Sequence, residues 1–124
     1  MILCDANAVL RFVLDDIPEQ AALTERAISE GAEVTVEVLA ECVYVLVKVY
    51  GLSRETVSEC LLEVLPNFHC RNADVVSEAL HLFCETRLDF VDCELISESK
   101  LHQRVILSFD KKLNAKINDD LRYG

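Results

Sequence analysis

Glycine and proline are scarce in this 124-residue sequence, which has three glycines (Gly31, Gly51, Gly124) and two prolines (Pro18, Pro66). No stretch therefore reads as a linker, and no repeat, low-complexity segment or G-x-x-x-x-G-K phosphate loop is present. Long apolar runs are lacking as well. The longest, residues 34–50, is broken by Glu37, Glu41 and Lys48, so nothing approaches the ~18 to 20 residues that span a bilayer. No basic stretch leads into an apolar one near the start, so no secretory signal is expected and the cytoplasm is the expected location. Cysteine is not scarce, but its usual patterns are. The six cysteines form no C-x-x-C pair, and His69, His81 and His102 stand isolated. Neither a zinc site nor a disulfide framework is expected. Cys42, Cys60 and Cys84 fall on apolar helical faces, where a reduced thiol acts as a small hydrophobe.

Positive charge is also in short supply. Twelve basic residues face 22 acidic ones, a formal net charge of −10, which argues against nucleic-acid binding through a generally basic surface. The distribution is uneven. Residues 1–99 hold six basic and nineteen acidic side chains, and residues 100–124 hold six basic (Lys100, Arg104, Lys111, Lys112, Lys116, Arg122) and three acidic. This C-terminal cluster surrounds Asp110 and reads either as a solvated face or as a set of phosphate contacts. With 52% hydrophobic residues, the chain can bury a dense core as one domain over residues 1–124, and some of its apolar surface is available to a subunit interface.

Hydrophobic periodicity and turn residues divide the chain into alternating elements. Residues 2–4 form a short buried strand ending at Asp5. Asn7 caps a helix over residues 8–14, and Pro18 opens a helix that stops at Gly31. A short strand at residues 33–36 leads into a long apolar helix stopped by Gly51. Ser53 and Thr56 cap the next helix, residues 67–70 form a short strand, and another helix starts at Asn72 or Asp74. Asp89 caps a helix over residues 90–100. Residues 104–109 form a buried strand, and Asp110 opens a last helix. Strands alternating with helices predict an α/β fold with a mostly parallel sheet.

Four acids interrupt apolar runs: Asp5 after Met1-Ile2-Leu3-Cys4, Glu41 among Val38-Leu39-Ala40 and Cys42-Val43, Asp92 after Phe90-Val91, and Asp110 after Ile106-Leu107-Ser108-Phe109. Burying a carboxylate unpaired costs several kcal/mol or more, so each is expected to find a cation. Glu41 is the sharpest case: Tyr44 and Val45 stand one turn ahead and Glu37 one turn behind, leaving it no helical partner. Asp5 and Asp110 fall at strand carboxyl ends, where open parallel sheets form their crevices. Oxygen-only ligands favour Mg2+ or Mn2+, which orient a phosphodiester and activate water for its hydrolysis. Asp89 reads as a helix cap, and Asp15, Asp16, Asp119 and Asp120 as surface or helix-end residues.

Asp5-Ala6-Asn7 behind a short strand, Val38-Leu39-Ala40-Glu41 followed by Val45-Leu46, Asp89-Phe90-Val91-Asp92 and Ser108-Phe109-Asp110-Lys111 together resemble the PIN domain family, and most closely its small VapC-type toxins. The resemblance covers essentially the whole chain. It implies a Rossmann-like three-layer α/β/α sandwich and a Mg2+- or Mn2+-dependent ribonuclease, the toxin of a type II toxin–antitoxin pair. By this resemblance Asp5, Glu41, Asp92 and Asp110 form the catalytic, metal-binding quartet, and Asn7 and Ser108 support it. The implied partners are RNA, a cognate antitoxin and a second copy in a homodimer. Arg104, Lys111 and Lys112 are candidate RNA contacts on the strength of the charge asymmetry. One departure stands out: residues 93–98 are more acidic than the small-residue helix often found there, which bears on substrate approach. Two other readings remain. A non-catalytic module would use the acids to recruit a basic partner segment. A phosphoacceptor domain would require a second acid beside Asp5, where Ala6 and Asn7 stand instead.

Overall fold

Asp5 ends the first extended segment and starts the first helix, and this junction sets the pattern for the N-terminal half of the molecule. The computed structural model describes residues 1–123, with side chains through Asn118; the side chains of Asp119, Asp120 and Arg122 lie outside the described residues. The chain forms two compact units, Met1–Ala73 and Asp74–Gly124.

In the first unit, strand β1 (Ile2–Leu3) is followed by helices α1 (Ala6–Leu14) and α2 (Pro18–Glu30), strand β2 (Ala32–Glu33), helices α3 (Val36–Lys48) and α4 (Arg54–Val64), and a 3-10 turn, Leu65–Asn67. β1 and β2 pair in parallel, with Ile2 opposite Ala32 and Leu3 opposite Glu33. On the other side of β2, His69 forms a parallel bridge with Glu33, through Val34 N–H to His69 C=O at 2.9 Å and His69 N–H to Ala32 C=O at 2.8 Å. The strand expected at residues 67–70 is thus reduced to this single bridge.

Local chemistry accounts for the helix boundaries. Thr35 and Ser53 cap α3 and α4 by accepting from the amides of Val38 and Thr56, each such cap contributing about 1 kcal/mol. Pro18 takes the first position of α2, where its missing N–H is no loss. Gly31 ends α2 at φ +105°, a conformation that disfavours any residue with a Cβ. α3 buries Leu39, Cys42, Val43 and Leu46, the i, i+3, i+4, i+7 stripe of an amphipathic helix. Val9, Leu10, Val57 and Leu61 complete this core, and Phe12 meets Phe68 edge-on at 6.1 Å.

Two expectations need correction here. Asn7 does not cap α1; Asp5 does. Nor is β1 buried: Ile2 and Leu3 are exposed, and β2 is its one partner strand among the described residues.

The second unit is helical: α5 (Ala73–Glu85) leads into α6 (Phe90–His102) and α7 (Lys111–Tyr123). α5 turns Val75, Val76, Ala79, Leu80, Leu82 and Phe83 inward, and Phe83 meets Phe90 of α6 edge-on at 6.4 Å. α6 packs against α7 and ends at Gln103 in the left-handed region, φ 52°. Residues 104–109 do not form the expected buried strand. They are irregular, and Val105, Leu107 and Phe109 are 97%, 83% and 91% exposed. A strand requires a partner ladder, and the described residues of this unit contain no other strand.

The fold is therefore α/β, with a two-stranded parallel sheet and helices in the majority among the described residues.

Candidate functional site

Each candidate acid is placed by the local element that carries it. Asp5 Oδ1 accepts the Ala8 amide at 2.9 Å, closing the first turn of α1. Glu41 lies on the outward face of α3, and its sequence neighbour Cys42 points inward, donating its thiol hydrogen to the Ala6 carbonyl at 3.8 Å. That contact ties the middle of α3 to the first turn of α1. The Cys42 thiol is pushed up to about 12, first by burial and then by the charges of Glu41 and Asp5. The charges of both carboxylates thus reach one buried thiol. Asn7 is exposed in the first turn of α1.

In the second unit, Asp92 occupies the first turn of α6 and is half-buried. Burial raises its carboxyl above the ordinary carboxylate range, and the negative charges of Asp89 and Asp110 raise it further. Asp110 caps α7: its Oδ1 accepts the amides of Lys112 at 2.8 Å and Leu113 at 3.1 Å. Ser108 braces this turn, its hydroxyl accepting the Asp110 amide at 3.0 Å and its carbonyl accepting from Asn114 Nδ2 at 2.8 Å. Asp89 corrects the sequence reading. It stands at the N-cap of α6, yet its side chain makes no capping bond; its charge acts on Asp92 instead. It is the acid the sequence reading set aside, and its three-residue offset from Asp92 was the signal that they share a helix end.

The candidate cations differ among themselves. Arg104 pairs with Glu98 at 3.4 Å, whereas Lys111 and Lys112 are exposed on the first turn of α7. A helix N-terminus is the unfavourable end for a cation, so helix stability does not explain these two lysines.

The burial premise behind the quartet does not hold. Asp5, Glu41 and Asp110 are exposed and only Asp92 is half-buried. The apolar residues around Glu41 in the sequence belong to the opposite face of its helix. None of the four acids forms an ion pair among the described residues. Nor do the described residues contain a group of three or more His, Cys, Asp or Glu that could hold a metal ion. The candidate acids fall on two units, Asp5 and Glu41 on the first and Asp89, Asp92 and Asp110 on the second. As donors these are oxygen-only and suit hard divalent cations. No helix among the described residues is long and apolar enough to cross a membrane.

No curated protein and no solved structure matches the chain. The model of the PIN domain family, by contrast, matches residues 2–117, a span that includes all four candidate acids and runs through both units. The chain belongs to the PIN domain family.

Proposed function

We propose that this chain is a divalent-metal-dependent endoribonuclease that hydrolyses RNA phosphodiester bonds. PIN domains are generally nucleases that need metal ions. The proposal assigns Asp5, Glu41, Asp92 and Asp110 jointly to Mg2+ or Mn2+, within one nuclease domain over residues 1–124 built as a three-layer α/β/α sandwich. The observation that carries it is that these carboxylates have no cation partner among the described residues, while burial and, after it, the charges of Asp89 and Asp110 raise the Asp92 carboxyl. A carboxylate that faces burial and like charges without a cation, as Asp92 does, gains from a divalent ion.

When bound, such an ion neutralises the phosphate and activates water. The chain's own residues do the rest. Asp5 and Asp110 each commit Oδ1 to a helix cap, which fixes the carboxylate and leaves Oδ2 for an ion. Ser108 holds Asp110 in place, and Asn7 supports Asp5 as a polar neighbour. Arg104, Lys111 and Lys112 hold the RNA backbone as phosphate contacts. The biological reading is a cytoplasmic, homodimeric toxin of a type II toxin–antitoxin pair, blocked by its antitoxin.

A second reading is favoured by the lack of a three-ligand group among the described residues: a non-catalytic module whose acids bind a basic partner segment. One assay separates the two. RNA cleavage is followed in Mg2+ or Mn2+, in EDTA, and with Asp5→Asn and Asp92→Asn. The nuclease reading expects chelator-sensitive cleavage that both substitutions abolish. The binding-module reading expects no cleavage by the unsubstituted protein.

A further inference from the structure

The outward face of α3 carries more than Glu41. Opposite the buried stripe of Leu39, Cys42, Val43 and Leu46, the residues Glu37, Glu41, Tyr44 and Lys48 are all exposed. At 1.5 Å rise and 100° per residue, Tyr44 lies ~4.5 Å along the axis from Glu41 and Lys48 ~6 Å beyond Tyr44, within about 60° of one another around the helix. Acid, aromatic ring and cation thus follow in order along one line about 10 Å long.

Tyr44 is 63% exposed, and its hydroxyl makes no hydrogen bond among the described residues. Tyr50 is a useful contrast, because its hydroxyl accepts from Arg11 Nη2 at 3.1 Å. Lys48 forms no ion pair among the described residues. A lone exposed tyrosine would need no explanation. One set a single helical turn from an unpaired ammonium offers a stacking face beside a partner for a phosphate.

We propose that α3 is a binding track for single-stranded RNA, in which a base stacks on Tyr44 and the adjoining phosphate pairs with Lys48. The inference rests on the ribonuclease reading for the identity of the ligand and extends it by naming two residues that hold it. Stacking accepts any base, because every base has a π-face, and it requires bases that are not already paired. An acidic chain can bind in this way, because one aromatic platform and one cation serve where a broad basic surface is missing.

The test uses the full chain and twelve-nucleotide oligo(A) and oligo(U), with affinity read by anisotropy in Mg2+ and RNA integrity checked on a gel. Tyr44→Ala is expected to weaken single-strand affinity roughly five- to 150-fold, the range for losing one base–aromatic stack. Tyr44→Phe is expected to bind like the unsubstituted protein. The chain has no tryptophan, so Tyr44→Trp supplies a unique fluorophore whose emission a stacked base should quench saturably. Lys48→Ala is expected to reduce the slope of log affinity against log salt by about 0.7, the value for one phosphate contact on a single strand. Circular dichroism and sedimentation are measured alongside to show that each variant keeps its fold and mass.

Unchanged affinity in Tyr44→Ala would overturn the inference, as would no RNA binding by the unsubstituted protein or equal losses in Tyr44→Phe and Tyr44→Ala. A change of oligomeric mass accompanying the loss in Tyr44→Ala would also overturn it, by assigning the ring to a protein contact. The two proposals fail separately. Chelator-sensitive cleavage with normal Tyr44→Ala affinity would remove the track and keep the nuclease. Tryptophan quenching without cleavage would keep the track and remove the nuclease.

Discussion

The two units hold their candidate acids in different ways. In Met1–Ala73, Asp5 and Glu41 stand on either side of a packed contact, the buried Cys42 thiol against the Ala6 carbonyl. Their positions follow from how α1 and α3 pack, and their own carboxylates remain in water. In Asp74–Gly124, Asp89, Asp92 and Asp110 sit at the N-terminal ends of α6 and α7, held by caps and turns rather than by a core contact. Burial raises the Asp92 carboxyl, and the charges of Asp89 and Asp110 raise it further. The first arrangement has a core contact behind it, although Asp5, like Asp110, is itself held by a helix cap. The second stores repulsion that a cation would relieve.

The largest effect should come from the packing on which the first arrangement depends. Leu46→Ala removes a fully buried side chain from the inward stripe of α3 and should cost about 2 to 5 kcal/mol in denaturant unfolding. A loss under 1 kcal/mol would show that α3 is not anchored as described. In the second unit the matching effect should be smaller. Asp110→Ala removes the acceptor for two α7 amides and should cost about 0.5 to 2 kcal/mol. Asp110→Asn keeps a capping oxygen and should cost less. Equal losses would mean that charge, and not the cap, sets the stability of this turn.

The subtlest expectation concerns Asp92. Its folded-state carboxyl is raised, so the folded chain binds this proton more tightly than the unfolded chain does. Its contribution to stability is therefore fully present at low pH and lost as pH rises from the ordinary carboxylate range through the raised value. In metal-free buffer, Asp92→Asn should raise the Tm at neutral pH, with the gain vanishing in acid. Added Mg2+ should stabilise the unsubstituted protein and leave Asp92→Asn unmoved. A Tm difference that is the same at every pH would remove the repulsion from the comparison.

Much of the fold was legible where one residue decides the local chemistry. Pro18 and Gly31 mark the two ends of α2, and Ser53 marks the start of α4. Residues 104–109 were misread because a strand depends on a partner that no local pattern specifies; exposure at Val105, Leu107 and Phe109 looks the same in sequence as one face of a buried strand. Apolar neighbours along the chain suggest burial of the four acids, yet Leu39, Cys42, Val43 and Leu46 recur at helical spacing and leave Glu41 facing outward. Reading that spacing more strictly would have placed Glu41, Tyr44 and Lys48 on one exposed line. Asn7 suits a helix cap by its side chain, but so does Asp5, and the N-cap of α1 is Asp5, ahead of Asn7.

Cleavage of RNA by the purified chain tests the central claim most directly, comparing Mg2+ or Mn2+ with EDTA and comparing one substitution from each unit, Asp5→Asn and Asp92→Asn. Asn at position 5 keeps a capping oxygen, so folding is preserved while a negative ligand is lost. If both arrangements of acids serve one metal-dependent reaction, cleavage stops in EDTA and in each variant alone. Cleavage that persists in chelator and in both variants would contradict the account.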